Sequence, residues 1–130
     1  MDERPLSPHV TVYKWAYTMT LSILHRLSGM ALFLALIALI FWLVAAAAGP
    51  AAYARAMSVL ATWPVRCLVV LAILALWYHF CNGLRHLAWD MGFGFERAQA
   101  RRSAVIVVVA TLLASAVCVY ALVRAGAGTA

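Results

Sequence analysis

Apolar positions in this chain run on in blocks and do not alternate with polar ones. Three uncharged stretches, residues 27–54, 67–84 and 103–123, are separated by short segments that carry most of the arginines. From Met30 to Ala48 every side of a helical projection is apolar, the pattern of a helix with lipid all round. A bilayer crossing takes about 20 residues at about 1.5 Å of rise each. The middle stretch gains that length by continuing through Arg85 and His86 at the interface. The pattern predicts a first helix over residues 20–48, stopped by Gly49-Pro50. A short connection, 51–63, follows, with Thr62 as cap and Pro64 in the first turn of the next helix. That helix runs from 64 to 90 or 91 and is ended by Gly92-Phe93-Gly94. Residues 96–102 are a charged stop, and a third helix covers 103–123. The fold class is therefore an all-α membrane protein with three transmembrane helices. Residues 1–20 form an interfacial arm, 21–124 the helical domain and 125–130 a loose tail.

Composition agrees with this pattern. The 130 residues are 67% hydrophobic and 11% charged, where a soluble domain has about 25% charged. Three crossings use nearly the whole chain, which excludes a soluble catalytic module. The formal charge of +6 is placed unevenly. Arg4, Lys14, Arg26, Arg85, Arg97, Arg101 and Arg102 fall on one side of the expected topology, and Arg55, Arg66 and Arg124 on the other. The richer side is expected to be cytoplasmic, with the N-terminus there. Topology thus accounts for the cations, and no nucleic-acid partner is expected. The N-terminal residues read neither as a secretory signal nor as a transit peptide, so a bacterial inner membrane is expected. Cys67, Cys81 and Cys118 have neither metal-ligand spacing nor an even count, and are expected to be packing residues.

Two polar constellations interrupt the hydrocarbon. His79, Gly83 and His86 are spaced i, i+4, i+7 and share a helix face. Imidazole in an apolar run binds something or finds a partner there. Gly83 is expected to let a large flat group approach the backbone beside His79, so the column reads as one edge of a haem. The alternative is a hydrogen-bonded structural histidine. Arg85, about 9 Å of rise beyond His79, and Arg26, His25 and His86 lie at the depth that haem propionates need. No second histidine occurs at matching depth in the other helices. The haem is then five-coordinate, or its other ligand comes from another chain. Ser22, His25, Arg26 and Gly29 fall within about 100° of arc on the first helix. Arg26 there reads as a snorkelling interfacial cation and Ser22 as a helix-start residue. The functional alternative is a quinone pocket with donors for the carbonyl oxygens, Asp90 or His86 helping to relay protons. The aromatic stretch 10–17 reads as an interfacial anchor, or as a strap for a soluble partner.

Arg4-Pro5-Leu6-Ser7-Pro8-His9, then Ser22 through Gly29, then His79 through Asp90 together resemble the cytochrome b subunit family of succinate dehydrogenase, complex II, over residues 4–95. The resemblance implies a membrane anchor pairing with a second small anchor around one haem b. Both would carry the iron–sulfur and flavoprotein subunits on the cytoplasmic side, with FAD and the clusters held in those partners. It implies His79 as axial haem ligand, the second ligand coming from the other anchor. It implies Ser22, Ile23 and Arg26 as this chain's part of the ubiquinone site, and His25, Arg26 and His86 as propionate neighbours. The chain would be a non-flavin subunit with no catalytic residue or complete active site of its own, working in the tricarboxylic acid cycle and respiratory chain. Alternatives are a fumarate reductase anchor using menaquinone and a haem-free structural anchor. A small transporter is disfavoured, because the third helix has no ionisable group for a substrate path.

Overall fold

The computed structural model describes residues 16–127. The arm's residues 1–15, and with them the aromatic stretch up to Trp15, lie outside the described residues, as does the end of the tail. The elements are α1 (Tyr17–Ala47), α2 (Pro50–Leu60), α3 (Trp63–Asp90) and α4 (Arg97–Ala127). Three of them are long and apolar enough to cross a bilayer. At about 1.5 Å per residue, α1, α3 and α4 are each over 40 Å long against a hydrocarbon core of about 30 Å.

Three expectations are corrected. The connection 51–63 is largely a helix. Gly49, at φ 104°, breaks α1 as expected. Pro50 then begins α2, because its fixed φ suits a first helical position. Trp42 stacks at a tilt on Tyr53, 6.2 Å between centroids, and ties α2 to α1. Thr62 precedes α3 but does not cap it with its side chain; its hydroxyl donates back to the Val59 carbonyl at 2.7 Å. Residues 97–102 are no stop: α4 starts at Arg97 and continues to Ala127, since Arg and Ala are strong helix formers. The tail is accordingly helical as far as Ala127.

α3 is the middle helix, packed on α4 along one side and α1 along the other. Its neighbours run antiparallel to it, so the start of α1, the end of α3 and the start of α4 meet at one end. The α3–α4 seam uses Ala100, Ala104, Val107, Thr111 and Ser115, all buried and at helical spacing. Small side chains let two backbones approach, which agrees with the packing role expected of this last helix. The buried set is otherwise polar: Ser28, Asn82 and Arg85 are inside, while Leu, Ile, Phe and Val side chains of α1 face outward. Lipid tails are as apolar as leucine, so burying leucine between helices gains little, and close packing with polar contacts holds the helices together. Trp77 Nε1 donates to Cys118 Sγ at 3.3 Å. All three cysteines are free thiols.

Candidate functional site

The site is built where α3 crosses the first turns of α1. Two consecutive α3 side chains reach α1 carbonyls one helical turn apart. Tyr78 Oη donates to the Leu21 carbonyl at 2.7 Å. His79 Nδ1 lies 3.1 Å from the His25 carbonyl and 3.1 Å from Ser28 Oγ. Ser28 Oγ itself donates to that carbonyl at 2.8 Å. A carbonyl oxygen only accepts, so His79 carries its hydrogen on Nδ1 and shares it between two oxygens. In the neutral ring Nε2 then carries the lone pair, and it has no hydrogen-bond partner among the described residues.

The three histidines meet. The His25 and His79 rings stack at 4.0 Å with an interplanar angle of 8°. His25 and His86 lie 5.3 Å apart, and His86 meets Trp89 edge-on at 5.2 Å. The column 79, 83, 86 expected on one helix face therefore exists, and it faces His25. His25 Nδ1 is buried and has no hydrogen-bond partner among the described residues.

The two glycines have different neighbours within the chain. A Cβ on Gly83 would sit 3.8 Å from His25 Cε1, ordinary contact. A Cβ on Gly29 would sit 3.0 Å from His79 Cε1 and 3.5 Å from its Nδ1. Within this chain Gly29, not Gly83, is the bare position that His79 requires. Gly29 also lines an open groove of about 530 Å³ with Arg26, Met30, Phe33 and Leu34. Arg26 heads that groove, and it is exposed, as is Ile23; Ser22 beside them is half-buried.

Arg85 corrects a further expectation. It does not mark a return to water: its exposure is 6%. Its Nε donates to Ser103 Oγ at 3.0 Å, one terminal nitrogen to the Ala100 carbonyl at 3.1 Å and the other to Asn82 Oδ1 at 3.4 Å. Its carbon lies 4.1 Å over the Trp89 ring. Asn82 is fully buried. The guanidinium is committed to joining α3 with α4 and is not free to meet an acid on the His79 side. Tyr78 and Ser28 are the contributors that sequence reasoning missed, and Gly29, placed on the face with His25 and Arg26, was not linked to His79. Their signal was only the i, i+3 and i+4 spacing of Ser28 and Gly29 from His25.

No described group of three or more His, Cys, Asp or Glu side chains could hold a bare metal ion. A single imidazole nitrogen suits instead a metal that a ring system already holds. Comparison with known proteins agrees in kind. The family model described as succinate dehydrogenase/fumarate reductase transmembrane subunit matches residues 1–118. The succinate dehydrogenase cytochrome b556 subunit of Paracoccus denitrificans is 38% identical over 110 residues, 85% of this chain and 85% of the relative. That of Rickettsia prowazekii (strain Madrid E) is 39% identical over 113 residues, 86% of this chain and 87% of the relative. The mitochondrial succinate dehydrogenase cytochrome b560 subunit of Homo sapiens is 35% identical over 116 residues, 88% of this chain and 69% of the relative.

Proposed function

The chain belongs to the succinate dehydrogenase/fumarate reductase transmembrane subunit family, and from that premise we propose that it holds one side of a haem b and forms one wall of a ubiquinone-reduction site. It is an integral membrane subunit of the succinate dehydrogenase complex and works with that complex's other subunits. The relatives reported above are succinate dehydrogenase subunits, which favours that reading over a fumarate reductase anchor.

The carrying observation is the hydrogen bond from His79 Nδ1 to the His25 carbonyl. It orients the ring and raises the basicity of Nε2, as backbone carbonyls do for metal-bound histidines generally. His79 fits an axial ligand of haem iron. Gly29 gives the ring room, and the groove headed by Arg26 offers an apolar wall beside it. Propionates would find the buried, unpartnered His25 Nδ1, His86 in contact with it, and the Arg26 guanidinium, which forks onto a carboxylate with two charge-assisted bonds. When bound, the haem supplies a one-electron redox centre inside the membrane. With His25 and His86 taken up as propionate neighbours, this chain would hold the iron through His79 alone and a second anchor subunit would supply the other ligand.

Ser22, Ile23 and Arg26 form the quinone wall. The Ser22 hydroxyl donates to a quinone carbonyl, Ile23 packs against the ring, and Arg26 stabilises the negative charge that grows on oxygen during reduction. Electrons reach this site from FAD and iron–sulfur clusters in the flavoprotein and iron–sulfur subunits, on the cytoplasmic side of a bacterial inner membrane. The arginine-rich end of the bundle faces that side.

The test is a reduced-minus-oxidised spectrum of the purified complex carrying His79→Ala. Loss of the b-type band is expected; an unchanged band overturns the ligand assignment and leaves a haem-free anchoring role for this histidine. Arg26→Ala is expected to lower succinate:ubiquinone turnover at least tenfold while succinate oxidation by an artificial dye persists.

A further inference from the structure

α1 and α4 both pack on α3 and share almost no contact with each other. Between them, at the end where both begin, lies a cleft of about 600 Å³. Tyr17, Thr20 and Arg101 line it nearest the helix starts, and Leu21, Ala104 and the part-exposed valines 105, 108 and 109 line it farther along. These valines follow Arg101 at i+4, i+7 and i+8, one face of α4. Arg101 is exposed and makes no hydrogen bond or ion pair among the described residues. The cleft shares no lining residue with the groove headed by Arg26; its Leu21 is the residue whose carbonyl accepts from Tyr78.

We propose that this cleft binds an anionic diacyl phospholipid of the cytoplasmic leaflet. Its phosphate meets Arg101 and the Tyr17 and Thr20 hydroxyls, and one acyl chain follows the valines inward. Three observations favour that occupant. Charge is complementary, with two hydroxyls and a guanidinium that has no partner among the described residues at one end, and hydrocarbon along the rest. Depth matches: Arg101 to Val109 is about 12 Å of rise, close to half of a hydrocarbon core of about 30 Å, hence about one leaflet. Position matches too, because the polar end of the cleft is at the arginine-rich end, and basic pockets between helices on that side select acidic headgroups.

The test uses the whole complex in nanodiscs of phosphatidylcholine doped with a trace of photoactivatable lipid. The probe is phosphatidylglycerol or phosphatidylcholine, each with a diazirine midway along one acyl chain, and adducts are mapped by peptide mass spectrometry. Phosphatidylglycerol is expected to label residues 105–109 about fivefold more than phosphatidylcholine, the ratio one surface arginine confers. Arg101→Gln should abolish that excess, Arg102→Gln should keep it, and Val108→Trp should block both probes. Dye-linked succinate oxidation checks that each variant complex is intact. Equal labelling by the two lipids overturns the proposal, as does an excess that survives Arg101→Gln. So does an excess lost equally in Arg102→Gln, which would mean diffuse surface attraction. Absence of adducts at 105–109 in the unaltered complex, as when residues 1–15 or another subunit fill the cleft, overturns it as well.

Discussion

The His79 ring is held by four neighbours: the His25 carbonyl, Ser28 Oγ, the stacked His25 ring and the bare backbone of Gly29. That constraint decides what a methyl group at position 29 does. Alanine gains about 1 kcal/mol over glycine in a helix, but overpacking a held side chain costs about 1–3 kcal/mol. His79 cannot retreat without losing its hydrogen bonds. Gly29→Ala is therefore expected to lower the thermal midpoint of the complex and its haem content per flavin. Gly83→Ala, with ordinary room beside His25, is expected to leave both unchanged or slightly raised. The reverse ranking would show that the crowding lies at Gly83, from a group outside this chain. The 79, 83, 86 column was legible in the sequence because one helix period puts those residues on one face. That Gly29 was the tighter glycine was not, because a contact between α1 and α3 has no signature in either helix alone.

At the scale of elements, α4 and α3 are joined through one guanidinium. Arg85 spans from Asn82 on its own helix to Ala100 and Ser103 on the next. Hydrogen bonds from a charged donor are worth about 1.5–3 kcal/mol each. Arg85→Ala is expected to cost about 3 kcal/mol or more and to leave buried acceptors unmet, read as a fall in the midpoint of detergent-induced unfolding of the complex. Arg85→Lys should recover little, because an ammonium presents its three donors from a single nitrogen and cannot reach acceptors that Arg85 meets with three separate nitrogens. Full recovery by lysine would mean that charge alone, not geometry, holds α4. The sequence placed Arg85 at the water boundary because it is the first cation after a long apolar run. It could not reveal that α4 begins early enough, at Arg97, to bring the Ala100 carbonyl and Ser103 beside it. Nor did composition separate α2 from a loop, since Gly49-Pro50 both ends one helix and allows another to start.

The whole molecule is turned inside out relative to a soluble domain. Its buried positions are small or polar and its large apolar side chains face outward, α1 most of all. Lipid satisfies much of that surface, and other subunits satisfy the rest. One consequence is testable: this chain produced without its partners should give no six-coordinate low-spin haem spectrum, and coexpression with the second anchor should restore it. A low-spin spectrum from the isolated chain would place both axial ligands here. The number of crossings, the uneven placement of charge and the shared face of His79, Gly83 and His86 were written in the order of residues. Hydropathy, charge and helical period act along one chain, and a bilayer imposes them on each helix separately. Tertiary structure alone decided the proton position on His79, the burial of Arg85 and the cleft between α1 and α4. Each depends on atoms far apart in sequence, and on the distance at which α3 holds its two neighbours.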